Sequence, residues 1–180
     1  MNILKEVVLK NGQPLILRLP NPSDAESIIK YLNIVGGETD NLLFGSGEFS
    51  ITIEQEKTFI ENINNASNSF MIIGTINEVI VSVAQISSPY RKRISHNSEI
   101  AISVRKDYWN IGIGHAVINE LINFAKEKGS IRNITLKVKA NNENAIILYK
   151  SVGFTEVGRH KNIFNINDIF YDAILMELYI

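Results

Sequence analysis

The 180-residue sequence predicts one mixed α/β (α+β) domain: a mostly antiparallel central sheet flanked by helices. Three observations predict it. Residues Glu99–Gly129 read as a strand, a glycine turn and a helix. Residues 134–154 read as a second strand followed by a capped helix. The segments on either side alternate apolar and polar residues in the two-residue period of strands. No internal repeat, low-complexity tract or linker divides the chain, so the expectation is a single domain over 1–180.

The elements follow in order. Glu6–Leu9 and Pro14–Leu19 flank Asn11-Gly12, a strong hairpin signal, and Pro20 stops the second strand. Ser23 or Asp24 caps a helix carrying Ala25, Ile28, Ile29 and Leu32 on its buried side, and Gly36 and Gly37 are expected to break it. Glu38–Phe49 is polar and without period. A second helix starts at Thr52, with Gln55 completing a capping box and Phe59, Ile60 and Ile63 along it. Strands at Ser69–Ile76 and Val79–Ser87 surround an Asn77-Glu78 turn, and Tyr90–Ser98 is a basic linker. In the central strand Ile100, Ile102 and Val104 share one face. Trp109-Asn110-Ile111-Gly112-Ile113-Gly114 opens a helix with Val117, Leu121, Phe124 and Ala125 at helical spacing, closed by Gly129. Ile134–Val138 is a strand, and Asn142 caps a helix that Gly153 ends. Thr155–Asn162 and Ile169–Leu178 are the last strands, around Asn165-Ile166-Asn167-Asp168.

Composition narrows the chemistry. Hydrophobic content of 45% and charged content of 21% are globular values, and a net charge of −1 argues against nucleic acid as the main partner. With no cysteine there is no disulfide, no thiolate nucleophile and no zinc–thiolate site, and His96, His115 and His160 are scattered, so no metal is expected. No apolar run approaches the ~20 residues of a membrane span and no signal segment opens the chain. The expectation is a cytoplasmic protein without a membrane partner.

Gly112 and Gly114 at a helix start have a physical use. Lacking Cβ atoms, they let an anion approach the unpaired first-turn N–H groups, and the helix dipole favours phosphate there. The Asn142-Glu143-Asn144-Ala145 start and the Tyr149-Lys150-Ser151-Val152-Gly153-Phe154 close of the second helix complete a spaced pattern. Together the two stretches resemble the GCN5-related N-acetyltransferases (GNAT). That family pairs a Q/R-x-x-G-x-G/A loop for the coenzyme A pyrophosphate with an N-x-x-A-x-x-x-Y-x-x-x-G-F segment. The second pattern is complete in Asn142, Ala145, Tyr149, Gly153 and Phe154; in the first, Trp109 stands where Gln or Arg is usual. The likeness covers roughly Leu15 to Met176, with its specific motifs in the second half.

The resemblance implies a cofactor, acetyl-CoA, held in the splay of two central strands. Its pyrophosphate would lie over Trp109, Asn110, Ile111, Gly112, Ile113, Gly114 and His115, and its pantetheine arm would pair with the main chain of Ile102, Ser103 and Val104. Asn142 would both cap its helix and touch the cofactor. Tyr149 would protonate the departing thiolate, and Glu99 would serve as base, since an alkylammonium with pKa near ~10.4 must lose a proton before attack. Glu38 and Asp40, with Glu48, lie where the fold builds its acceptor pocket, and Tyr171 and Asp172 are candidates for the opposite wall.

The function these features point to is acetyl-CoA-dependent N-acetyl transfer to a primary amine of a small molecule (an amino acid, a polyamine, an aminated metabolite or toxin) by direct attack. The alternative within the class acetylates a protein N-terminus or lysine; outside it stands a non-catalytic acyl-CoA sensor. A nucleotide-binding oxidoreductase fails on pattern, because Gly112-Ile113-Gly114-His115-Ala116-Val117 lacks the third small residue. Relatives are often dimers, so a homodimer enters by analogy alone, and no residue pattern in the sequence sets the oligomeric state.

Overall fold

The structure, a computed structural model, describes residues 2–180. Eight strands form one sheet in the order β1-β2-β3-β4-β5-β6-β8-β7. They are β1 (Ile3–Val8), β2 (Pro14–Arg18), β3 (Ser69–Ile76), β4 (Val79–Ser87), β5 (Asn97–Val104), β6 (Asn133–Lys139), β7 (Thr155–Ile166) and β8 (Ile169–Tyr179). Every neighbouring pair is antiparallel except β5 and β6. The tight turns are as local chemistry requires: Asn77 and Glu78, and Asn167 and Asp168, each place two consecutive residues at positive φ, the backbone of a turn that matches strand twist.

The helices α1 (Ala25–Glu38), α2 (Ile53–Asn65) and α3 (Ile113–Lys128) bury apolar stripes against the two faces, and α4 (Glu143–Ser151) packs partly buried Ala145, Ile146 and Tyr149 against the core. Ile113, Val117, Ile118, Leu121 and Ile122 of α3 pack with Leu15, Leu17, Ile72, Ile100 and Ile134 of the sheet. On the opposite face Ile28, Tyr31 and Val35 of α1 and Ile60 and Ile63 of α2 enclose Met71, Ile73 and Val83. At ~25 cal/mol per Å² of apolar surface, each buried Ile or Leu contributes about 2 kcal/mol before entropy is charged against it. None of the described helices is long and apolar enough to cross a membrane.

Several boundaries differ from expectation. Gly36 and Gly37 do not break α1, which runs on to Glu38; a Cβ on Gly36 would stand 2.6 Å from the Gly45 carbonyl oxygen, so this glycine admits the following loop against the helix. Asp24 stands at the N-cap of α1 as expected but makes no side-chain cap bond there; Asn21 opens a preceding 3-10 turn over Pro22–Asp24 in a capping box with Asp24. The Asp24 carboxylate is committed to Arg18 through contacts of 2.7 and 2.8 Å. α3 begins at Ile113 instead of Trp109, because Lys106–Tyr108 form their own 3-10 turn and Gly112 at φ +106 is the N-cap. β7 extends to Ile166, four residues past its expected end at Asn162, with a bulge between His160 and Phe164.

Candidate active site

The site starts from a mismatch in the sheet. β5 and β6 pair only over Asn97↔Asn133, Ser98↔Ile134 and Glu99↔Thr135. β4 remains paired with β5 from Ser87↔Glu99 to Ser82↔Val104. From Ile100 to Val104 β5 therefore presents one satisfied edge and one edge without a partner strand. An unpaired ladder edge carries N–H and C=O groups in the spacing an extended amide chain complements.

That edge opens into a cavity of about 1060 Å³, lined by Ile100–Val104, by Leu136, Lys137 and Val138 across the gap, and by much of α4. At one end stand Trp109, Asn110, Gly112, Gly114 and His115. No side chain caps α3 at Gly112, and the first helical hydrogen bond is donated by the Ala116 N–H to the Gly112 carbonyl. The N–H groups of Ile113, Gly114 and His115 are thus without helical acceptors, and the positive helix end adds to their pull on an anion. Trp109 turns its indole elsewhere, donating from Nε1 to the Val104 carbonyl at 2.8 Å. It closes the last carbonyl of β5 and offers no hydrogen bond at this end.

α4 supplies the second wall. Asn142 accepts the Ala145 N–H at 3.3 Å, so the expected cap is present, and it lines the cavity. Tyr149 stands 5.9 Å, ring to ring, from Phe154 and also lines the cavity. Burial pushes its hydroxyl up to about 12, with no hydrogen bond offsetting it. The phenol is protonated throughout the physiological range.

The cavity is also lined by Gln85, Ser87, Glu99, Lys137 and Phe164, and by Thr39 and Asn41–Phe44 from the loop after α1. Strand register puts Ser87 beside Glu99 and Gln85 beside Ala101 on one face. Glu99, the expected base, lies at the solvent-facing start of β5: its side chain is 54% exposed and pairs with Lys137 Nζ at 3.2 Å. Ser103 faces α1, where its Oγ accepts from the Tyr31 hydroxyl at 3.0 Å.

None of the expected acceptor residues Glu38, Asp40, Glu48, Tyr171 and Asp172 lines the cavity. Glu38 is a structural clamp, accepting Arg105 Nε and the Lys106 N–H, both at 2.8 Å, and it does not line the cavity. Asp40 is exposed, between cavity-lining Thr39 and Asn41. Glu48 turns back on its own loop to accept the Gly45 N–H at 2.8 Å. Asp172 accepts the Asn162 N–H at 3.0 Å and holds the β7 bulge that sets Phe164 in the cavity wall. Sequence reasoning missed Lys10, Gln85, Ser87, Lys137 and Phe164. Polar Gln85 and Ser87 at the end of a mostly apolar strand were the one available signal. Among the described residues no cluster of three or more His, Cys, Asp or Glu is placed to hold a metal.

Residues 17–175 match the family model described as an acetyltransferase (GNAT) domain. The chain belongs to the GNAT acetyltransferases. It is 30% identical over 123 residues, 68% of this chain and 78% of the relative, to the [ribosomal protein bS18]-alanine N-acetyltransferase of Escherichia coli K12. A GNAT-family acetyltransferase from Streptococcus pneumoniae superposes with a TM-score of 0.90 at 29% identity, covering 92% of this chain and 99% of that one. A GNAT phosphinothricin acetyltransferase from Sinorhizobium meliloti, solved in complex with AcCoA, has a TM-score of 0.80 at 16% identity over 92% of this chain and 88% of that one, a likeness of fold. As a GNAT member the protein is an acyltransferase.

Proposed function

We propose that this protein uses acetyl-CoA to acetylate the primary amine of a small molecule by direct attack. The observation that carries the reading is the unpaired β5 edge from Ile100 to Val104, which opens into a cavity ending at the free amides of α3. The residues present fit the cosubstrate: an extended amide arm matches the strand edge, and a diphosphate matches the Cβ-free helix start. Acetyl-CoA supplies the activated acetyl thioester.

The chain's own groups divide the remaining work. Main-chain groups of Ile102 and the N–H of Val104 orient the arm, since Ser103 turns its own to β4 and Trp109 takes the Val104 carbonyl, and an N–H on this edge steadies the carbonyl oxygen as charge develops. Tyr149 donates a hydrogen bond to the leaving sulfur. With its hydroxyl at about 12 it holds its proton more tightly than a thiol, near ~8.5, so it stabilises the thiolate rather than surrendering the proton outright. Glu99 accepts the amine proton once the acceptor displaces Lys137. Gln85, Ser87, Phe164 and Asn41–Phe44 form the acceptor wall.

A second reading, acetylation of a protein N-terminus, draws on the Escherichia coli relative and on a hollow of about 250 Å³ that adjoins the cavity. The two share Gln85 and Ser87, and Phe59, Ile63 and Ala66 line the extension. The deciding experiment is thermal melting with acetyl-CoA, CoA, NAD and ATP, followed by thiol release with amines and with short peptides beginning in alanine. At 100 times Kd a ligand stabilises by ~2.7 kcal/mol, a shift of roughly 5–10 °C for a chain of this size. A shift with CoA species alone, and turnover of free amines over peptides, is expected; turnover of peptides alone selects the second reading, and no shift removes both.

A further inference from the structure

Three basic side chains line the cavity: Lys10, His115 and Lys137. Lys137 is paired with Glu99, and the His115 ring is 3.1 Å from Ser151 Oγ. Lys10, exposed at the β1–β2 hairpin, has no side-chain partner among the described residues. Its position is set by its main chain: the Lys10 N–H donates to the Ile111 carbonyl at 3.0 Å. Its Cγ lies 4.0 Å from the point where a Cβ on Gly112 would stand, so its aliphatic stem runs beside the anion-accepting turn. Trp109, the other side chain placed to help, spends its one donor on Val104.

We propose that Lys10 is the cationic contact for the diphosphate of the cosubstrate, delivered to the helix start from a hairpin about a hundred residues away in sequence. The proposal rests on the acetyl-CoA reading above. The main-chain anchor fixes where the stem begins, so ligand binding orders only the side chain. An ammonium suits this place, because the first-turn amides already supply directional hydrogen bonds and what is lacking is charge.

The test is calorimetric titration of the full chain with acetyl-CoA, its 3′-dephospho form and acetylpantetheine, in wild type, Lys10→Gln and Lys10→Arg. Both substitutions keep the Lys10 main chain, and an unchanged melting temperature without ligand verifies folding. Lys10→Gln is expected to lose about tenfold in affinity for acetyl-CoA and for the dephospho form alike, and nothing for acetylpantetheine, with Lys10→Arg restoring most of the loss. Equal affinity of wild type and Lys10→Gln for acetyl-CoA overturns the proposal while leaving the acetyl-CoA reading standing. A loss confined to the ligand bearing the 3′-phosphate overturns the diphosphate assignment. If wild type binds none of the three, the function proposed above falls, and this inference with it.

Discussion

Leu148 of α4 reaches so close to α3 that a Cβ on Gly114 would stand 2.8 Å from its Cδ2. The second glycine of the turn is therefore also a packing residue, holding the two walls of the cavity together. Because any larger side chain at Gly114 disturbs this contact, a charged substitution there tests packing and phosphate repulsion at once. Gly114→Ala is expected to destabilise by about 1–2 kcal/mol through overpacking, less the small gain alanine brings to a helix. Chemical denaturation of Gly114→Ala, Leu148→Ala and the double variant should show the double variant more stable than the sum of the singles. Strict additivity would mean that the two residues do not compete for the same space.

Tyr149→Phe should lower kcat by roughly 10- to 100-fold with little change in acetyl-CoA affinity, since a hydrogen bond made to developing charge is lost. Unchanged kcat with any accepted amine would remove the hydroxyl from the mechanism.

The same hydroxyl makes an alkaline stability prediction. Its value is raised from 10 to about 12 by burial, so the native state keeps a proton that the unfolded chain loses between those pH values. The associated stability is complete below pH 10 and declines as pH rises towards 12, by about 2–3 kcal/mol in all. Tyr31, raised in the same direction by burial, adds to the slope. Urea denaturation at stepped pH should show Tyr149→Phe falling less steeply than wild type, and parallel curves would contradict the buried hydroxyl.

Glu38→Gln should behave as a stability variant. It weakens two charge-assisted contacts that tie the end of α1 to Arg105 and Lys106, at a cost of about 1–3 kcal/mol. KM for the amine should stay within twofold, measured at a temperature where the variant is folded. A large KM increase with intact stability would return Glu38 to the acceptor site.

Glu99→Gln should reduce turnover by 10- to 100-fold, most strongly at the low-pH end where the amine is most protonated. Lys137→Ala, by freeing the carboxylate, should lower KM for a cationic amine. Parallel pH profiles for wild type and Glu99→Gln would leave Glu99 a surface ion pair with Lys137, worth little once solvent screens it.

Much of this was legible in the chain. Asn142 capping α4, Tyr149 seven residues on, and glycines at a helix start are local patterns whose causes are local: an orphan N–H, a helical face, a missing Cβ. What stayed hidden was pairing at a distance. Glu38 looked like a free loop carboxylate because its partners Arg105 and Lys106 lie more than sixty residues away. The Lys137 partner of Glu99 was hidden for the same reason: alternation gives a face but does not say which strand lies beside it.

The sequence by itself determined the elements, the order in which they occur and the family's helix-start glycines, because hydrophobic period, capping and glycine φ act within a few residues. Only the tertiary structure decided that β5 and β6 part after three pairs, that Leu148 fills the space a Cβ on Gly114 would take, and that the Lys10 stem lies beside Gly112. Those facts are set by how the strands twist and which helices fill the gap between them, a balance of contacts among residues that no short window of sequence contains.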